Sequence, residues 1–242
     1  MHCVKNTLSV EGYLSHQSKK IIKNLSIDCV VFGFENNNLE LLLVKRKGNP
    51  SKGSWALPGG FILNTETVDE AAVRILEETS NVKNIYLEQV RVFSELERFP
   101  SRRVITITFF ALVNPEKHSL KPGIDTTDVK WHNIEDDIEY PFDHKTIIDS
   151  SLRQLRQRVR YKPIGFELLP KKFSLTQLQS LYECILGEKL DKRNFRKKIL
   201  GLKMLIPLDE FQKGVSHRAA RLYKFDSKTY ESLKNKGFNF QL

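Results

Sequence analysis

The stretch from Trp55 to Val82 reads WALPGGFILNTETVDEAAVRILEETSNV, and the fold of the chain turns on it. Its opening, Trp55-Ala56-Leu57-Pro58-Gly59-Gly60-Phe61, carries a Pro-Gly-Gly run that reads as a tight turn. Beyond it Val68, Ala71, Ala72, Ile75, Leu76 and Thr79 recur at the i, i+3, i+4, i+7 spacing of a buried helical face. The segment is therefore expected to be a turn, a loop and an amphipathic helix.

Within it Gly60 is followed by Glu66, Arg74, Leu76 and Glu78 at spacings that resemble the Nudix box, Gly-x5-Glu-x7-Arg-Glu-Leu-x-Glu-Glu-x-Gly. The resemblance implies an α/β/α sandwich with a mixed sheet, and enzymes of that family clamp a pyrophosphate with magnesium held by helix carboxylates. The carboxylate positions of the motif are Ile75, Glu78 and Thr79 here, so one acid remains of three. Glu77 does not replace them, because successive helical residues point about 100° apart. Asn81 stands where the motif has glycine, and asparagine tolerates the left-handed conformation better than most residues. The box is read as a fold element without hydrolase function: no catalytic residue, no metal ligand and no cofactor is assigned. A chance match to a short motif is the bland alternative.

Length and composition fit one large or two ordinary globular domains: 242 residues, 40% hydrophobic and 28% charged. Cys3, Cys29 and Cys184 form no metal-type pair and no disulfide framework, and a reducing cytoplasm suits them. Met1 to Lys20 lacks the apolar core of a signal peptide, and no run reaches membrane-spanning length. The net charge of +10 is unevenly placed: residues 1–150 hold 18 Lys+Arg against 21 Asp+Glu (−3), residues 151–242 hold 21 against 8 (+13). A basic second half suggests an acidic partner such as nucleic acid, although lysine-rich surfaces also serve solubility.

Taken in order, residues 1–22 read as a polar arm and residues 23–140 as the sandwich. Strands are expected at Ile27–Phe34, Leu39–Val44, Ile85–Ser94, Val104–Val113 and Val129–His132, with a turn at Glu35–Asn38. Consecutive apolar residues in the first two mean a sheet covered on both faces. The loop Glu97–Arg103 carries Arg98, Arg102 and Arg103, which suit either a phosphate or a solvated hairpin tip. Trp131 is expected in the core. A helix over 141–161, with Ile147, Ile148, Leu152, Leu155 and Val159 as its stripe, is read as a linker spanning 141–162.

Residues 163–242 read as a second domain. Ser174 with Gln177 makes a capping box for a helix ending at Gly187. Asp191 caps a second helix, Lys192–Leu200, stopped by Gly201. That helix turns Phe195 and Ile199 inward and its cations outward. Two short apolar runs, Met204–Leu208 and Ala220–Phe225, flank a polar stretch and read as a wing, giving a winged helix-turn-helix. A basic helical domain serving protein contacts or oligomerisation is the alternative.

The segments Leu168–Glu183 and Leu190–Lys198, with Arg218–Phe225, are similar to the Nudix-related transcriptional regulators, the NrtR group. That resemblance implies a degenerate Nudix domain that senses a small molecule, and a homodimer that binds double-stranded DNA at palindromic operators. Candidate DNA contacts are Lys192, Arg193, Asn194, Arg196, Lys197 and Lys198, with His217, Arg218 and Arg221 from the wing. Candidate effector contacts are Trp55, Leu57, Gly60, Glu78, Arg98 and Arg103. Effectors considered are a sugar, a sugar phosphate or an ADP-ribose-like molecule, with the loss of two carboxylates favouring the first two. The competing reading is an active hydrolase that recruits Glu95 or Glu97 as extra metal ligands.

Overall fold

The computed structural model describes residues 20–162, 164–214 and 219–235. The first domain is built on one long strand, β1 (Ile21–Glu35). Its first half pairs antiparallel with β4 (Gly59–Leu63), and its second half with β2 (Asn38–Arg46), along the same edge. The other edge pairs in parallel with β6 (Ile105–Leu112), which in turn carries β5 (Glu88–Phe93). β2 also pairs with β3 (Trp55–Ala56) and β7 (Thr126–Asn133), completing a mixed seven-stranded sheet. Asn36 and Asn37 both sit at positive φ, which closes the two-residue β1–β2 hairpin with the twist that antiparallel strands prefer.

Alternation along β1 separates two cores. Ile27, Cys29 and Val31 face helix α1 (Val68–Ser80) together with Ala71, Ala72, Ile75 and Leu76. Val30 and Phe32 face helix α2 (His144–Tyr161) together with Ile147, Ile148, Leu155 and Val159. The expected sandwich is thus present, and α2 is its second helical layer instead of a free connector.

α1 begins with a capping box between Thr67 and Glu70 and ends on Asn81 at φ 62°, the left-handed cap foreseen for that position. The second domain contains β8 (Phe173–Ser174), α3 (Leu175–Leu186), α4 (Lys192–Gly201), β9 (Leu205–Phe211), β10 (Arg221–Phe225) and α5 (Ser227–Asn235). β8, β10 and β9 form a three-stranded sheet behind the two helices. Its apolar residues join the α2-side core without interruption: Phe166, Leu178, Leu181, Tyr182, Phe195 and Ile199 belong to the same cluster as Val30 and Phe110.

The structure corrects four boundaries. β1 starts at Ile21, inside the expected arm, because Ile21 pairs with Leu63; residues 1–19 lie outside the described residues. α2 starts at His144 and not at 141, since Phe142 takes φ 58° and Asp143 is bound elsewhere. The strand expected at Ile85–Ser94 begins only at Glu88. Gly201 lies in the last turn of α4, and Lys203 is the residue that turns left-handed at φ 54°.

Candidate functional site

On the α1 face the box forms a clamp centred on Arg74. Its guanidinium donates to both oxygens of Glu66 (2.6 and 2.8 Å), to Oε2 of Glu78 (2.8 Å) and to the carbonyl of Phe61 (3.0 Å). Glu66 also accepts from the Leu63 N–H at 2.8 Å, and the Arg74 hydrogen bond holds its carboxyl below the usual range. Where the motif has its other two carboxylates, the chain has core. Ile75 is 2% exposed against Gly60, where a Cβ would stand only 3.2 Å from the isoleucine. Thr79 is buried, its hydroxyl donating back to the Ile75 carbonyl.

No group of three or more His, Cys, Asp or Glu side chains gathers for a metal among the described residues. One carboxylate, already bound to an arginine, does not fit the magnesium that such a box otherwise holds. A groove of about 620 Å³ runs along this helix, lined by Asp69, Glu70, Val73, Arg74, Glu77 and Glu78. Four acids against one arginine repel an anionic ligand.

The opposite face of the sheet is different. Ser26 and Asp28 on β1 lie beside Thr106 and Thr108 on β6, register partners in the parallel pair. Arg98 reaches over them, 8% exposed. It grips Asp143 with two nitrogens (2.8 and 2.7 Å), donates to the Thr106 hydroxyl at 2.5 Å and stands 3.6 Å from Asp28. Thr106 and Ser26 hydroxyls are 2.6 Å apart, whereas the Thr108 hydroxyl is buried without a hydrogen-bond partner among the described residues. Gly59 is required here, because a Cβ would fall 2.3 Å from an Asp28 oxygen.

Burial pushes the Asp28 carboxyl up to about 7 despite the opposing pull of Arg98. Burial, reinforced by Arg46 and Arg98, lowers His144 to about 3. Neutral His144 accepts the Leu57 N–H on Nδ1 at 3.1 Å, which leaves its proton on Nε2, 4.0 Å from Asp28. Phe142, Phe99 and the Arg46 guanidinium lie beside this cluster, with Arg46 5.3 Å from the Phe142 ring centre.

The six expected effector contacts therefore do not line one pocket. Leu57 and Arg98 belong to the polar cluster. Trp55, on the same face, packs edge-on to His132 with Lys45 and Lys130 near its ring. Gly60 and Glu78 lie on the α1 face, and Arg103 is exposed. Trp131 is partly buried against the α1-side core, as expected. Asp28, Arg46, Thr106, Thr108, Asp143 and His144 were missed. The available signal was a lone carboxylate, Asp28, inside an apolar strand.

In the second domain α4 packs on α3 through Phe195 and Ile199, 2% and 1% exposed. Asp191 caps it by accepting from the Asn194 N–H at 2.8 Å. Lys192, Arg193, Asn194, Lys197 and Lys198 are all exposed. Arg196 differs: it is half-buried and donates to the Thr176 hydroxyl on α3. Arg221 is exposed but occupied within the wing, by the Leu208 carbonyl and by Asp209 at 2.7 Å. His217 and Arg218 lie outside the described residues. No helix among the described residues is long and apolar enough to cross a membrane.

Residues 23–151 match the family model for the NUDIX domain, and residues 165–225 match that for the NrtR DNA-binding winged helix domain. A curated relative from Acinetobacter baylyi, the ADPR responsive transcriptional repressor NtrR, is 29% identical over 241 residues, covering 97% of this chain and 93% of the relative. The crystal structure of Shewanella oneidensis NrtR complexed with a 27mer DNA superposes with a TM-score of 0.75 at 28% identity, over 89% of this chain and 97% of that one. The NUDIX domain of the same Shewanella protein complexed with ADP ribose superposes at 0.53, also 28% identical, over 61% of this chain and 99% of that one.

Proposed function

From a chain that belongs to the Nudix family and joins its Nudix domain to an NrtR-type winged helix domain, we infer a DNA-binding transcriptional regulator, a repressor responsive to ADP-ribose. The observation that carries this reading is the cationic face of α4, presented on a capped helix whose other side is locked into the core. Such a helix suits the major groove, where arginine and lysine read guanine, asparagine reads adenine, and the remaining cations meet phosphates. A homodimer would match a palindromic operator by its own two-fold axis. Work on a chromosome implies a cytoplasmic protein.

For the effector, the names of the relatives favour ADP-ribose over the sugar or sugar phosphate that the lost carboxylates suggested. A diphosphate can be held by arginine without metal. We place it on the α2 face, at Arg98 and Arg46, since the α1 groove is acidic. Effector binding then acts on operator affinity by favouring one arrangement of the molecule over another.

The test is fluorescence anisotropy with duplex DNA from upstream of the protein's own and neighbouring genes, at two salt concentrations, with ADP-ribose, ribose 5-phosphate and ribose as titrants. Sequence-preferring binding altered by ADP-ribose alone is the expected result. Equal binding to scrambled DNA would overturn it. Magnesium-dependent release of AMP from ADP-ribose, abolished by Glu78→Gln, would instead favour the hydrolase.

A further inference from the structure

We propose that Asp143 is a two-position latch at the start of α2: the diphosphate of the effector takes Arg98 from it, and the released carboxylate caps the helix that carries the second domain. The proposal rests on the functional reading above. It begins from an anomaly among the helix starts. Thr67, Ser174 and Asp191 each cap their helices with extended backbone and a side-chain oxygen accepting an N–H of the first turn. Asp143 occupies the same position on α2, is a residue type that favours it, and makes no capping bond. Both of its oxygens are held by Arg98.

The local backbone agrees. Asp143 sits at φ −99°, ψ 18°, away from the extended cap conformation, and Phe142 before it is forced to φ 58°. A bulky residue at positive φ is strained, and such strain persists only where surrounding contacts impose it. Two contacts span this turn: the His144 N–H donates to the Pro141 carbonyl at 3.3 Å, and Arg98 holds both oxygens of Asp143. Release lets Asp143 relax to the cap geometry and Phe142 leave its strained conformation, loosening the contacts it now makes with Phe99, His144 and the Arg46 guanidinium.

The pocket is built to compete for Arg98. A diphosphate matches the guanidinium fork as a carboxylate does and carries more charge. Arg46 stands nearby, and the buried Thr108 hydroxyl has no hydrogen-bond partner among the described residues. Asp28, whose pKa burial raises to about 7, is about half protonated near neutral pH and opposes an incoming anion less than an ordinary carboxylate would.

The far end of α2 conveys the change. Arg156 donates to the Ile185 carbonyl of α3 at 2.8 Å, Arg160 pairs with Glu188, and Leu155 and Val159 share one core with Leu178 and Leu181. A shift in the first turn of α2 therefore reaches α3 and α4 through packed side chains.

The experiment measures operator affinity with and without saturating ADP-ribose for wild type, Asp143→Asn and Asp143→Ser, together with hydrogen exchange of residues 144–148 in the wild-type protein. Both variants can cap but hold Arg98 weakly or not at all. Without effector they are expected to show most of the affinity change that ADP-ribose causes in wild type, a factor of about 5 to 150 for an ordinary allosteric coupling. Exchange in the first turn of α2 is expected to slow on ADP-ribose binding. Variants that fold, start at the wild-type affinity and respond by the full wild-type factor overturn the latch. So does unchanged exchange in a wild-type protein whose operator affinity does respond, a result that needs no variant. A wild-type protein indifferent to ADP-ribose overturns the effector assignment itself, and the latch with it.

Discussion

Ile75 and Thr79 show at the residue scale why the box cannot simply be repaired. Ile75 is packed against Gly60 and the core beneath α1, so Ile75→Glu buries an unpaired charge. Chemical denaturation should show a loss of about 3–5 kcal/mol, the scale of an uncompensated buried ion, with no gain in hydrolysis. A second residue-scale prediction concerns pH. Asp28 titrates near 7 when folded against an ordinary 3.8, so the folded state holds an extra proton in that window, and this group's contribution falls as pH rises through it. His144 is lowered from 6.5 to about 3, so the unfolded state holds the extra proton, and its contribution rises with pH over that interval. Between about 4 and 6.5 the two slopes oppose one another. Of these two contributions, Asp28→Asn keeps only that of His144. Its unfolding free energy, from denaturant titrations, should change between pH 4.5 and 6.5 more favourably with rising pH than that of wild type, by at most about 1.4 kcal/mol per pH unit for the one proton.

At the scale of elements, the helix ends carry the next two predictions. The Ser174–Gln177 capping box opens α3, so Ser174→Ala should cost about 1 kcal/mol in a denaturant titration. On α4, Lys197 is exposed whereas Arg196 is tied to Thr176. If Lys197 meets a phosphate, Lys197→Ala should lower the slope of log affinity against log salt by about 0.9 and weaken all sequences alike. These elements were legible from sequence because their signals are local: caps, a left-handed residue, a 3.6-residue apolar period. The start of α2 was not, because Asp143, a favoured capping residue, is engaged by Arg98 from 45 residues away, a contact that no local pattern announces.

For the whole molecule, the α2-side core is the controlling feature. It runs from Val30 and Phe110 through Ile147 and Val159 to Leu181 and Phe195, so the two domains share buried surface. Cys184 on α3 also donates to the Asn37 carbonyl in the β1–β2 turn, and Arg158 on α2 pairs with Glu88 on β5. Calorimetry should therefore find one cooperative transition, not two separable ones. Two transitions of unequal temperature would show the domains to be independent.

By itself the sequence determined the longer elements and the family, while β3 and β4, inside a stretch read as turn and loop, and α5 went unread. Apolar periodicity, turn residues and caps act over a few positions, and the Nudix-box spacing with the basic capped helix left two domain types that each needed no long-range information. Only the tertiary structure decided which charged groups meet. Glu78 keeps the motif's place on the helix yet is bound by Arg74, while Arg98, Asp28, Asp143 and His144 converge from a loop, a strand and a helix start. Convergence of that kind depends on strand register and on which face of the sheet a residue occupies. Those are settled by the packing of both helical layers at once, and no local stretch encodes them.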